Sequence, residues 1–221
     1  MTDFILHSVP GSPYGRQALI TLEEVGAPYR LAPIAPGASR SPEYRALHPF
    51  GKIPALTHGD FHLYETQAII RYVDRVAGGG ALTPCDPRGA ARMDQALNIS
   101  VCYLFQGVGN VIGFQRIVGP VMLGLTTDEA AIAAAMPQAH LVFNELGRLL
   151  GDQPFFTGEA VSLADISLIS QMDFLAATPE WQDLTRANPN LVGWLARMNA
   201  RPSLQATTWE KVAAMAAAAQ A

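Results

Sequence analysis

A mixed α/β segment followed by an all-α segment is the organisation this 221-residue sequence predicts. Three observations carry it. Strand-like apolar runs occur only in the first third of the chain. A stretch rich in Gly and Pro, Gly78 to Arg88, interrupts the pattern. Beyond it, alanine-rich helical periodicity runs from about Ala90 to the end. The expected domains are residues 1–78, a linker over 79–89, and an all-helical domain over 90–221.

Each element has its own signal. Phe4-Ile5-Leu6-His7 reads as a first strand, and Pro10-Gly11-Ser12-Pro13 as a dense turn. Ala18, Leu19, Leu22 and Val25 share one helical face, and Gly26 marks a stop. Tyr29 to Ile34 is a second strand. Strand, helix, strand in so short a span implies a parallel pair with a crossover. Ser41-Pro42-Glu43 opens a short helix with a Ser cap and a Pro at the first position, and His48 to Gly51 breaks it. Ile53 to Thr57 and Phe61 to Tyr64, separated by Gly59-Asp60, form a hairpin. From Glu65 a helix carries Ala68, Ile69, Tyr72, Val73 and Val76 on one stripe, and Gly78-Gly79-Gly80 ends it. The alanine-rich tail from Ala213 reads as a fraying end.

Hydrophobic residues make up 49% of the chain and charged residues 15%, which supports a buried core and excludes a disordered chain. A net charge of −4 without a long basic run gives no footprint for nucleic acid or an anionic membrane. No signal-peptide profile and no run of about 20 apolar residues stand out. The two cysteines, Cys85 and Cys102, sit in no CxxC pair. A soluble, reducing, cytoplasmic setting is the expectation. His7, His48, His58, His62 and His140 lack metal-ligand spacing and read as surface or core residues, so no metal is expected. No glycine-rich phosphate loop is present.

Three places carry chemistry. Ser12 lies between a strand end and a helix start, where backbone N–H groups and the helix dipole favour an anion such as a thiolate. A plain helix cap is the reading the local pattern favours, and a hydroxyl donating to a thiolate is the other. Ile53-Pro54, preceded by Lys52, is either an ordinary turn or a cis-Pro whose neighbour offers its backbone to an extended peptide. At the strand-to-helix junction Glu65-Thr66, Thr66 is expected to cap the helix, and the pair is either a plain cap with a first-turn acid or a holder for an α-amino acid head group, Glu65 taking the ammonium and Thr66 N–H the carboxylate. Ser162-Leu163-Ala164-Asp165 is a capping box before an apolar run, and its structural reading dominates.

Taken together, these residues resemble the glutathione transferase superfamily over nearly the whole chain, with a thioredoxin-like N-terminal domain (βαβαββα) and an all-helical C-terminal domain. The run HPFGKIPAL, followed by LYETQAII, is similar to the phi class, best known from plants, whose pattern reads NPFGQVPAL and then ES-x-AI. Phe156-Thr157-Gly158, Ser162 to Asp165, Asn188-Pro189, Trp194 and Arg201-Pro202 also follow the family's pattern. The resemblance implies a transferase that joins the thiolate of glutathione, its co-substrate, to a hydrophobic electrophile. Ser12, four residues before Arg16, matches the serine that stabilises the thiolate.

By the same resemblance, Ile53, with Pro54, matches the backbone partner of the cysteinyl part, and Glu65 and Thr66 match the pair holding the γ-glutamyl group. Lys52 replaces the usual Gln near the glycyl end. Arg40 and Ser39 stand where the class has Lys and His, so positive charge is kept with altered geometry. Phe50 matches an aromatic that inserts into a partner subunit, so a homodimer is implied. Tyr14, Tyr103, Phe105, Phe114 and Ile117 are the candidate wall of the electrophile pocket, with ordinary core packing as the alternative for each. Glutathione-dependent peroxide reduction, dehalogenation or isomerisation, a non-catalytic binding module and a carrier of apolar ligands are the competing functions. Ser in place of Cys at position 12 disfavours thiol–disulfide exchange.

Overall fold

The computed structural model describes residues 3–35 and 37–219. These divide into two compact units. One runs to Thr83 and resumes at Asn199. The other spans Pro84–Met198.

The first unit is built on a four-stranded sheet in the order β2-β1-β3-β4. Strands β1 (Phe4–Ser8) and β2 (Tyr29–Pro33) pair in parallel. Strands β3 (Ala55–His58) and β4 (Phe61–Tyr64) complete it, with β3 antiparallel to both β1 and β4. Helices α1 (Pro13–Glu24) and α3 (Thr66–Ala77) pack on each other. They bury Leu19, Ile20, Leu22, Ile69, Ile70 and Val73. Phe4, Leu6, Leu31 and Leu56 supply the buried side chains of the sheet. The crossover from β1 through α1 to β2 follows from two parallel neighbours needing a helix-length connection. Gly26, at φ +64°, turns the chain out of α1 toward β2. Between the strands, a single turn (Ala38–Arg40) leads into α2 (Pro42–Leu47), whose cap Ser41 accepts from Tyr44 N–H at 3.3 Å.

The expected linker is partly pinned. Buried Asp74 on α3 accepts from Leu82 N–H at 3.0 Å and from the Thr83 hydroxyl at 2.8 Å. The chain therefore stays with the first unit through the glycine run. The last residues also differ from the expected grouping. Helices α10 (Pro202–Ala206) and α11 (Trp209–Ala218) lie in the first unit, α10 against α1 and α11 against β2. The alanine-rich tail is helical through Ala218, because Val212 and Ala216 are buried.

The second unit is helical: α4 (Pro87–Ile99), α5 (Ser100–Met122, with π-helical winding), α6 (Glu129–Leu150), α7 (Leu163–Ala176), α8 (Trp181–Thr185) and α9 (Pro189–Asn199). The bend in α5 at Gln106 and Gly107 leaves helical dihedrals, with Gly107 at φ +83°. Helix α5 packs on α6 and α7, burying Leu104, Val108 and Ile112. Pro87–Met122 together is long and apolar enough, by length and composition alone, to cross a membrane. It holds no unbroken run of about 20 apolar residues, because polar residues such as Arg92, Asp94, Asn98 and Asn110 are scattered through it.

At the start of α7 the capping box forms as expected. Asp165 is fully buried and accepts from Ser162 N–H and its hydroxyl (both 2.9 Å), Phe156 N–H (3.0 Å) and Trp194 Nε1–H (2.9 Å). Burial raises its pKa against those four donors.

Candidate functional site

The sheet register brings the predicted residues to one end of the first unit. His7 near the end of β1 is opposite Ala55 at the start of β3, and Ala55 is opposite Tyr64 at the end of β4. The segments that leave this end are Val9 to Ser12, the approach Lys52-Ile53-Pro54, and Glu65-Thr66. Ser8 on β1 is opposite Pro33 on β2, so the chain leading to Ser39 and Arg40 departs from the same end. Residues separated by more than fifty positions in the sequence thus leave one edge of the fold.

Ser12 is the cap of α1. Its Oγ accepts from Gly15 N–H at 3.1 Å, and its N–H donates to Val9 carbonyl at 3.3 Å. The hydroxyl hydrogen has no acceptor among the described residues, and the side chain is half-buried. The cap reading and the donor reading therefore use different parts of one hydroxyl: the oxygen serves the helix and the hydrogen is spare. The close seat of α1 on the strand end requires glycine at position 15, since a Cβ there would lie 2.0 Å from Ser8 Oγ.

The Ile53-Pro54 bond is cis, as one of the two readings anticipated. Ile53 precedes the paired part of β3, which starts at Ala55. Its approach is held from α2: the Tyr44 hydroxyl donates to Lys52 carbonyl at 2.8 Å. Burial pushes the Tyr44 phenol up to about 12, so it remains a donor at neutral pH. Gly51, at φ +61°, sits against Ser39 carbonyl, where an added Cβ would approach to 2.8 Å. This places the Ser39-Arg40 turn beside Gly51-Lys52.

Glu65, not Thr66, occupies the cap position of α3, with φ 70° and ψ 113° and no side-chain cap bond. A non-Gly residue at positive φ costs about 1–3 kcal/mol unless its surroundings enforce it. Thr66 is the first helical residue and is buried, while Glu65 is exposed. The earlier expectation that Thr66 caps the helix is thereby corrected. Behind the pair lies His48, 2% exposed, its ring 4.9 Å from that of Tyr64. Burial lowers its pKa. The Glu65 carboxylate opposes that and the Lys52 ammonium adds to it, so both charges act on one imidazole. Phe50 stands 69% exposed at the edge of this cluster, its ring 6.2 Å from His48.

Sequence reasoning missed Tyr44 as the support of the Lys52–Ile53 approach, since nothing in a helix pattern marks which tyrosine reaches a carbonyl eight residues on. It also missed Trp209. A Cβ on Gly11 would lie 2.5 Å from Cζ3 of the Trp209 ring. Among the electrophile-pocket candidates, Tyr14 is half-buried in α1. Tyr103, Phe105, Phe114 and Ile117 all lie on α5, with Tyr103 53% exposed and the other three half-buried. No group of three or more His, Cys, Asp or Glu that could hold a metal ion occurs among the described residues.

Chemically, the arrangement offers a spare hydroxyl donor at a helix start, the Ile53 backbone in front of a strand, and side chains of opposite charge at Lys52 and Glu65. An extended, zwitterionic peptide with a thiol in its middle fits that pattern.

Comparison with known proteins gives the same picture. Residues 6–80 match the family model for the glutathione S-transferase N-terminal domain, and residues 129–197 match that for the C-terminal domain. A glutathione S-transferase of Zea mays is 32% identical over 196 residues, covering 88% of each chain. A probable glutathione S-transferase of Oryza sativa subsp. japonica is 31% identical over 191 residues, 86% of this chain and 88% of its own. The solved glutathione S-transferase I from mais, in complex with an atrazine glutathione conjugate, has a TM-score of 0.83 at 29% identity, covering 97% of this chain and 98% of that one.

Proposed function

The chain belongs to the glutathione S-transferase family, and we propose that it joins the sulfur of reduced glutathione to hydrophobic electrophiles, with Ser12 stabilising the thiolate. The observation that carries this reading is the common sheet end shared by Ser12, Ile53-Pro54 and Glu65-Thr66. Glutathione lies extended there. Glu65 takes the ammonium and Thr66 N–H the carboxylate of the γ-glutamyl group. The backbone of Ile53 pairs with the cysteinyl unit in strand fashion, and Pro54 sets its direction. Lys52 and Arg40 hold the glycyl carboxylate.

The thiol then faces Ser12. The spare hydroxyl hydrogen donates to sulfur, and the start of α1 adds its dipole. One such charge-assisted bond is worth about 1.5–3 kcal/mol, or roughly one to two pKa units of thiol acidity. The thiol proton leaves to solvent. The thiolate forms a C–S bond to the electrophilic carbon, and a leaving group such as chloride departs with its bonding pair. Ser12 stays protonated throughout and forms no covalent bond.

Tyr103, Phe105, Phe114 and Ile117, all on α5, are the proposed contacts for the apolar co-substrate. The unit that runs to Thr83 and resumes at Asn199 acts as the glutathione-binding domain, and Pro84–Met198 as the helical domain. We read α4 and α5 as core helices of a soluble, cytoplasmic protein, a reading supported by their packing on α6 and α7. Exposed Phe50 supports a homodimer in which it enters the partner subunit.

The test is turnover of a chlorinated dinitrobenzene with glutathione, followed as thioether formation. Wild type is expected to turn over, and Ser12→Ala to lose most of that rate while still being retained on immobilised glutathione. A wild type without conjugating activity, or an Ser12→Ala variant at wild-type rate, overturns the assignment.

A further inference from the structure

The turn that presents Ser12 is backed by the chain's last helix, and the connection is built in three steps. First, the segment leading to that helix is tied along α1 at two points. Arg201 makes a two-pronged contact with Glu24, both N–O distances 2.7 Å, and Arg16 Nε donates to Thr207 carbonyl at 2.9 Å. Glu24 and Arg16 are eight residues apart, about 12 Å along a helix, so the segment runs antiparallel to α1 toward Ser12. Burial works to raise the Glu24 pKa, and the hydrogen bonds from Arg201 and Ser203 overcome it, leaving the carboxyl below its ordinary value and ionised.

Second, Thr208 caps α11 by accepting from Lys211 N–H at 3.4 Å, which fixes Trp209 as the first helical residue. Third, the Trp209 ring occupies the space where a side chain on Gly11 would be. Gly11 has φ +92° and no side chain of its own to hold it. Behind the turn is a small cavity whose lining includes Val9, Gly11, Ser12, Leu19, Trp209 and Val212. Without the ring, the Pro10-Gly11 turn has open space to settle into.

We propose that Trp209 is a positioning residue for Ser12: its ring holds the Gly11 turn so that the hydroxyl hydrogen points at the sulfur. The inference rests on the glutathione reading of the site. Trp209 acts through Ser12 and needs no contact with the reacting atoms. Its loss therefore acts on the thiolate more than on the charged ends of glutathione, which other segments hold.

The experiment is a double-mutant cycle on the full chain with Trp209→Ala, Ser12→Ala and the double variant, plus Trp209→Phe as the conservative rescue. Trp209→Ala is expected to lower kcat about tenfold while KM for glutathione stays within about twofold. The thiol-ionisation limb of its pH–rate profile should move up by about one unit. Trp209→Phe, which keeps a flat ring, should recover to within about threefold of wild type. The double variant should be no slower than Ser12→Ala alone, because two residues acting through one hydrogen bond do not add.

A wild-type pH limb and kcat in Trp209→Ala overturn the proposal. So does a double variant whose losses multiply, the signature of a role independent of Ser12. If Trp209→Ala does not fold, Trp209→Leu carries the same cycle with the same two overturning results. A wild type that turns over with an additive cycle defeats this inference alone, whereas a wild type with no turnover defeats the glutathione reading and this inference with it.

Discussion

Ser12 and Ser162 both stand at helix starts, and they end in opposite situations. Ser162 is 2% exposed and its hydroxyl donates to Asp165, which also takes three other donors. Every polar group there is committed, and the ensemble holds the start of α7. Ser12 is half-buried, uses only its oxygen, and keeps its hydrogen at an open sheet end where other chemically useful segments converge. A helix cap thus becomes a candidate for chemistry when it retains an unused donor beside solvent-accessible space. Sequence pattern alone does not separate the two cases. Their neighbourhoods do.

Substitutions sharpen the contrast. The largest expected effect is on stability at the closed cap. Asp165→Ala removes the acceptor of four buried donors, Phe156 N–H, Trp194 Nε1–H and the Ser162 N–H and hydroxyl, and breaks the capping box, for a loss of about 4 kcal/mol in denaturant unfolding. Its folded fraction should keep wild-type KM for glutathione, and a selective loss of activity without destabilisation would erase the distinction drawn here. Next is Ser12→Ala at the open cap. A barrier increase of about 1.5–3 kcal/mol corresponds to roughly 10- to 150-fold in kcat, against only about 1 kcal/mol in stability.

Glu65→Ala should raise KM for glutathione about tenfold with a smaller change in kcat, as loss of a charge-assisted bond predicts. Steady-state titration of glutathione checks it, and an unchanged KM removes Glu65 from the site.

The smallest effect is the pH dependence of the α1 tether. The Glu24 pKa lies below its ordinary value of 4.5 in the folded chain, so the ion pair's contribution is complete above that value and lost as pH falls through the folded value. Glu24→Gln should flatten this acid limb of thermal stability. A limb identical in both proteins would show that other carboxylates carry it.

Most of the first unit was legible because its signals are local. Alternating runs, turn residues and Ser-Pro helix starts set β1 to β4 and α1 to α3 within a residue or two. The capping box was legible for the same reason, since Ser162 and Asp165 are three positions apart. The site was legible only as a conjunction, because Ser12, Ile53 and Glu65 are each ambiguous until the register of three strands brings them to one end.

What stayed hidden depends on contacts far apart in sequence. The docking of residues 199–219 on the first unit rests on Arg16–Thr207 and Arg201–Glu24, pairs 191 and 177 positions apart. An alanine-rich tail gives no sign of its target. The cap position of α3 was misplaced by one residue because Glu65 adopts a positive φ, which propensity disfavours for a residue with a side chain. The apolar content of Pro87–Met122 shows only as an average, because polar residues are scattered through its two continuous helices.

The central claim is that the Ser12 hydroxyl makes bound glutathione a stronger acid. Titrating the thiolate absorbance of glutathione bound to wild type and to Ser12→Ala tests this directly. Wild type should show an apparent pKa about one to two units below the ordinary thiol value of about 8.5, and Ser12→Ala should return most of that shift. Equal thiol pKa values in the two proteins, with glutathione bound in both, would contradict it.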